Sequence, residues 1–404
     1  MWKNKNVWIL LIGDFIAGLG LWLGIIGNLE FMQEKVPSDF LKAVILAVGL
    51  LAGVAFGPLA GRITDQTSKK KVMLIAGFAR TVGVIFMLIA IQTGSIWWMI
   101  IFLIFIQVSA AFYFPALQAA IPLVVDEKDL LQLNGIYMNV SSLSRVLGTA
   151  VAGILLVVMS LSMLYVASLV AYLGLFILTW FLHFDEKQAV QASDKATPSK
   201  TDFKDLFPVL KGLPIVFMTL VMTLVPLLFI GGFNLIVINI SELQNSSAIK
   251  SWLYTAEGLS FMIGAFFVKQ ISRKSSPYAI LFFCSFLIGL SQLLLYLADI
   301  PAMAVFAFAV FGFSVGCFFP TAATIFQTRV PKDYHGRFFS FRNMLERLIF
   351  QVILLITGFL LDAVGLQFMT VTFGSFSLLM TIIFYTRYRR QLAGEKSETS
   401  TRAV

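Results

Sequence analysis

The chain is short of charge, cysteine and histidine. Of its 404 residues only 13% are Asp, Glu, Lys or Arg, against about 25% in a soluble domain. Hydrophobic residues make up 59%, and the mean hydropathy is +0.89. That balance excludes an ordinary cytosolic enzyme, a disordered protein and a nucleic-acid binder. The two cysteines, Cys284 and Cys317, both lie in apolar runs, so no disulfide framework is expected. The two histidines, His183 and His335, end apolar runs far apart. They make neither a metal site nor a nucleophilic triad. No Gly-x-x-x-x-Gly-Lys-Ser/Thr string occurs, so ATP does not power the chain directly. No cofactor is expected, and a membrane-embedded enzyme is the weakest of the competing classes because no catalytic constellation is visible.

What is abundant is long apolar sequence. A spanning helix needs about 20 apolar residues, so this length leaves room for about twelve. Runs fall near 7–32, 38–60, 71–93, 96–122, 132–158 and 161–183, then near 213–240, 248–268, 277–298, 302–327, 338–361 and 366–386. The first is too long, and too poor in small residues at its end, for a signal peptide. Between the two sets, Asp185 to Lys211 is polar and includes Gln-Ala-Ser-Asp-Lys-Ala-Thr-Pro-Ser-Lys, the composition of a solvated linker. The expectation is an all-α membrane protein of twelve transmembrane helices. A six-helix bundle over 1–184, a linker over 185–212, a second six-helix bundle over 213–388 and a tail over 389–404 make up the chain.

Lys and Arg collect on alternate loops, and cytoplasmic loops carry that excess. With the N-terminus inside, the inner face receives Lys3, Lys5, Arg62, Lys69, Lys70, Lys71, the linker lysines, Lys269, Arg273, Lys274, Arg329 and the tail from Arg387. The outer face receives Lys35, Lys42 and Lys250. The expected protein is a multi-pass plasma-membrane chain with both termini cytoplasmic. Its net charge of +9 is then explained by the bilayer, without nucleic acid.

The halves echo one another. Phe114-Pro115-Ala116 returns 205 residues on as Phe319-Pro320-Thr321. Leu143-Ser144-Arg145 returns 202 on as Leu345-Glu346-Arg347, and Asn28-Leu29 returns 206 on as Asn234-Leu235. Gly61-Arg-Ile-Thr-Asp65-Gln-Thr-Ser-Lys69-Lys70-Lys71 carries the spacing Gly, three residues, Asp, then a basic cluster. In that stretch and in its parallel six-helix repeats the chain resembles the major facilitator superfamily, whose substrate site lies between the halves. Phe114-Pro115-Ala116-Leu-Gln118 and Gly148-Thr-Ala-Val-Ala-Gly153 are similar to the macrolide-efflux and enterobactin-exporter branch. The resemblance implies two pseudo-symmetric bundles and a gate at Gly61, Asp65, Lys69, Lys70 and Lys71. There Gly61 would let two helices approach and Asp65 would latch the inner side. Gln66 stands where the gate signature has a basic residue, and Thr149 where the antiporter signature of span 5 has Pro.

Ionisable groups inside apolar runs are costly and need a partner, water or a function. Asp14 lies about two turns into span 1. Arg145 in span 5 is the partner expected for it, since these spans pack together in the fold the chain resembles. Glu30, near the outer end of span 1, and Glu257 in span 8 suit a cationic substrate or a proton. Asp14, Arg145, Glu30 and Glu257 are thus the proton-coupling candidates, whereas Arg80 reads as structural.

A wide apolar cavity with a few polar anchors suits amphipathic molecules. Its candidate lining is Gln107, Tyr113, Phe114, Tyr137 and Asn139 in the first half and Phe233, Asn234 and Asn239 in the second. The expected function is proton-driven export by alternating access of a small molecule such as a macrolide or a catecholate siderophore. A lipid or lysolipid flippase and a small-solute uptake carrier of the same fold are the alternatives. The expected partners are the bilayer and the small-molecule substrate, and the chain is expected to be a monomer.

Overall fold

Short polar residues open several of the helices, and glycine closes or breaks a few. In the computed structural model, which describes residues 2–125, 127–183, 212–331 and 335–401, helices make up the chain and no strand occurs among the described residues. Helix α1 is Lys5–Lys35, α2 Asp39–Gln66 and α3 Lys69–Thr93. The Ser38 hydroxyl accepts the Leu41 N–H at 3.1 Å to cap α2. Ser68 caps α3 in the same way. Gly94, at φ 67°, ends α3 in the left-handed conformation that a Cβ disfavours. Helices α4 (Ile96–Ala120), α5 (Glu127–Val158) and α6 (Leu161–Trp180) follow.

The expected single helix near 213–240 is three: α7 (Pro214–Met222), α8 (Leu224–Ile230) and α9 (Phe233–Leu243). Pro226 has no N–H to offer the carbonyl of Met222, and Gly231-Gly232 interrupts the next turn. The glycines also seat the break. A Cβ on Gly231 would lie 2.6 Å from Ile353, and one on Gly232 would lie 2.6 Å from Thr357. Helix α10 is Ala248–Ser272, α11 Pro277–Leu294, α12 Pro301–Arg329 and α13 His335–Thr401. Gly365, at φ 77° and ψ 172°, divides α13 into two rods, and the helix continues through the expected tail to Thr401.

Ten of the helical stretches are long and apolar enough to cross a membrane. Phe341–Arg389 counts once among the ten despite its break, and Ala248–Ser272, with Lys250, Glu257 and Lys269, does not count. Of the linker expected over 185–212, residues 185–211 lie outside the described residues.

Packing divides the chain into two units. The first takes in 1–199 with 245–255, and the second 200–244 with 256–404. In the first, α1 packs on α5 and α6, α3 on α4 and α6, and α2 on α4. Between helices in lipid the gain is close packing and hydrogen bonding rather than burial from water. Accordingly Ser168 donates to the Gly20 carbonyl at 2.8 Å, and Tyr165 donates to Asn28 Oδ1 at 2.5 Å. Asn28, the residue echoed by Asn234 in the second half, is thereby buried inside the bundle. In the second unit α11 packs on α12 and α13. Phe229 and Phe311 stack there at 3.8 Å, with Phe308 edge-on to Phe229 at 5.2 Å.

Candidate functional site

Five helices of the first unit converge on one carboxylate and one guanidinium. Asp14 stands on α1 and is half-buried, and the Tyr137 hydroxyl of α5 donates to its Oδ1 at 2.8 Å. Arg80 of α3 is 4% exposed. Its guanidinium carbon lies 5.2 Å from the Tyr113 ring centre and 5.7 Å from those of Phe114 and Tyr172, side chains of α4 and α6. Such a cage stabilises a desolvated cation by about 2 kcal/mol. The Arg80 Nε is buried without a hydrogen-bond partner among the described residues. Arg80 is near enough for its charge to act on Asp14, though among the described residues the two form no ion pair. A carboxylate held by a neutral donor, beside a cation held by rings, can lose or gain a proton without breaking a direct salt bridge.

Arg145, the expected partner, is elsewhere. Its guanidinium lies over Trp22 at 6.0 Å. The physical reason is register. A Cβ on Gly18 would collide with Ser144, and one on Gly148 would lie 2.8 Å from Trp22. These two contacts run α1 and α5 parallel with residue 145 level with residue 19, about five residues or ~7.5 Å beyond Asp14. Gly148 and Gly153 are packing positions, Gly153 against Ser251. Helix α5 is unbroken at Thr149, whose hydroxyl donates to the Arg145 carbonyl at 3.0 Å.

Glu30 has a partner that the sequence placed on a separate loop. Lys250 Nζ meets its Oε2 at 2.6 Å, and the Ser247 hydroxyl donates to its Oε1 at 2.8 Å. Lys250 is fully buried, so the pair ties the C-terminal end of α1 to residues 245–255 of the same unit. In the second unit Glu257 is buried on α10, with its backbone carbonyl against Gly312 of α12.

Of the expected lining, Tyr113, Phe114 and Tyr137 meet around Asp14 and Arg80. Gln107 does not join them: its backbone lies against Gly53 of α2, where a Cβ would be 3.1 Å from the Gln107 carbonyl. Asn139 is exposed. Phe233 packs on Phe229 and Phe308, the Asn239 amide donates to the Leu235 carbonyl at 3.1 Å, and Asn234 is half-buried. At the gate stretch, a Cβ on Gly61 would meet nothing within 4 Å among the described residues, where a close approach is expected from the sequence. The Asp65 side chain lies outside the described residues. Lys69 is buried, Lys70 half-buried and Lys71 exposed. Tyr172 is not singled out in the sequence and Arg80 reads there as structural, yet both meet at this cluster. The signal was there: Arg80 lies nine residues past Lys71, too deep for an anchor at the membrane surface.

A family model described as Major Facilitator Superfamily matches residues 10–348 and again 222–403. Macrolide efflux protein A of Streptococcus pyogenes is 23% identical over 401 residues, covering 95% of each chain. An uncharacterized MFS-type transporter of Bacillus subtilis, YfiS, is 22% identical over 352 residues, covering 83% of this chain and 82% of its own. Among solved structures, the nucleoside transporter NupG is similar with a TM-score of 0.73 at 14% identity, covering 95% of this chain and 99% of that one. A bacterial homologue of the iron transporter ferroportin, inward-facing, has a TM-score of 0.71 at 11% identity, with coverage of 94% and 98%.

Proposed function

The chain belongs to the Major Facilitator Superfamily, and from that premise we propose that it exports an amphipathic small molecule by proton-coupled alternating access. It is a multi-pass membrane transporter and not an enzyme. Export is supported by the likeness to macrolide efflux protein A across 95% of both chains. A macrolide is therefore the first substrate to test and a catecholate siderophore the second. In this reading the chain crosses the plasma membrane twelve times as a monomer, with both termini and the linker cytoplasmic.

The observation that carries proton coupling is the Asp14–Tyr137 hydrogen bond beside the caged Arg80. A carboxylate this far inside a bundle is costly unless it works or is fully paired. Here it has one neutral donor and a cation without a direct bond. Protonation of Asp14 releases Arg80 from its field, and deprotonation restores it, so the proton state biases the packing of α1 against α3 and α5. Glu30, held by Lys250 and Ser247, acts in this reading as an outer clasp, and Glu257 remains a second acid available to a cationic substrate. Asp65 and the lysines after it serve as the inner latch.

The test is reconstitution of the full chain into proteoliposomes. Labelled macrolide, and separately labelled siderophore, should accumulate against a gradient only when a pH difference is imposed. Equal accumulation with the pH difference collapsed would overturn the coupling, and accumulation of neither compound would overturn the substrate assignment.

A further inference from the structure

Helices α2, α3 and α4 of the first unit enclose an apolar groove of about 430 Å³ that the site around Asp14 does not use. That size falls in the range of about 300–1,000 Å³ in which small-molecule sites lie. Phe56 and Ile63 come from α2, Val72 and Ile75 from α3, and Phe112 from α4. Ser109 is the single polar side chain of the lining, and its hydroxyl donates to the Ala76 carbonyl at 2.6 Å. The wall therefore offers a ligand no hydrogen bond, and it excludes any solute that must keep one. Ile75 is 70% exposed and Phe56 42% exposed, so the groove opens on the bundle's surface.

One end of the groove is charged. Val72, Ile75, Ala76 and Ala79 recur at three and four along α3 and share a face. One turn back, on the two opposite flanks of that face, come Lys69, three residues before Val72, and Lys71, four before Ile75. Lys69 is only 8% exposed, yet among the described residues it has no hydrogen bond and no ion pair. A buried ammonium calls for an anion. Lys71, on the other flank, is exposed, and both long side chains can reach toward an anion at the end of the groove.

We propose that this groove holds an acyl chain of an anionic phospholipid, with the headgroup phosphate set against Lys69 and Lys71. Hydrocarbon suits a wall without polar groups, and the anion answers a buried ammonium that has no ion pair among the described residues. A zwitterionic lipid offers the same chain with no net charge. The assignment needs only that the chain lies in a bilayer, so it stands or falls apart from the proton coupling of Asp14.

The experiment is native mass spectrometry of the purified full chain titrated with phosphatidylglycerol and with phosphatidylcholine of identical acyl chains. The unaltered protein should retain phosphatidylglycerol about fivefold more tightly for each lysine engaged, the size of one lysine's attraction at an anionic lipid surface. Lys69→Gln with Lys71→Gln should erase the preference, while Lys274→Gln, an exposed lysine on another loop, should leave it. Val108→Trp should weaken both lipids by filling the groove, and the smaller change Ala79→Leu serves if the Trp variant does not fold. Equal retention of the two lipids by the unaltered protein would overturn the proposal, as would a preference that survives loss of both lysines. A groove-filling variant that lowers macrolide binding but leaves both lipids in place would make the groove a substrate portal instead.

Discussion

The Tyr137 hydroxyl reaches from α5 to donate to Asp14 Oδ1 at 2.8 Å, the one hydrogen bond to that carboxylate among the described residues. A hydrogen bond to a charged group contributes about 1.5–3 kcal/mol. Tyr137→Phe removes the donor and little volume, so folding and expression should hold. Gradient-driven transport should fall by about tenfold or more, since each ~1.4 kcal/mol is a factor of ten. Initial rates in proteoliposomes at matched protein density check this.

The clasp at Glu30 makes a different demand. Lys250 is fully buried against it at 2.6 Å. Removing one member of such a pair leaves a charge without compensation, at a cost of about 3–5 kcal/mol. Glu30→Gln and Lys250→Met should each lower the thermal midpoint of the purified protein. The double variant should recover most of that loss. A double variant whose loss is the sum of the two singles would show that the groups do not interact.

Gly148 tests the register of α1 and α5. A Cβ there would stand 2.8 Å from Trp22 Cβ and 3.4 Å from the Leu19 backbone, closer than side chains pack. Gly148→Val should therefore reduce folded yield sharply, because backbone would have to move. Gly61→Ala, where a Cβ meets nothing within 4 Å, should leave yield unchanged. Fluorescence-detected size exclusion of both variants separates these outcomes.

Orientation is open to chemical labelling with low background, since Cys284 and Cys317 are both buried. A cysteine placed at Ser193 should resist an impermeant thiol reagent in intact cells and react after lysis. One placed at Glu34, whose side chain is 65% exposed, should react in intact cells. Labelling of the Ser193 position in intact cells would reverse the topology.

The membrane class, the helical fold and most of the spans were legible, because twenty-residue apolar runs and alternate basic loops are direct consequences of the bilayer. The break in the seventh span was also legible, in Pro226 and Gly231-Gly232, had helix-breaking chemistry been weighed above hydropathy. Partnerships between spans were not. Asp14, Tyr113, Phe114 and Tyr137 were each singled out, but nothing in a single sequence states that α1 and α5 pack with residue 145 level with residue 19. Arg145 was therefore paired with Asp14 when Tyr137 and Arg80 hold that place. Glu30 and Lys250 were both visible as charges near the outer ends of spans, and only their packing joins them. Gly61 differs: the motif suggests a close approach there, and a Cβ would meet nothing within 4 Å among the described residues.

The most direct measurement compares two transport modes in one protein. The account has Asp14 carry the proton and Arg80 sense it, so Asp14→Asn should lose accumulation driven by a pH difference while retaining exchange of labelled for unlabelled substrate at equal pH. Arg80→Gln should show the same split if it folds, and Arg80→Lys, which keeps the charge, should restore part of the driven transport. Driven accumulation at the normal rate by a well-folded Asp14→Asn protein would contradict the account.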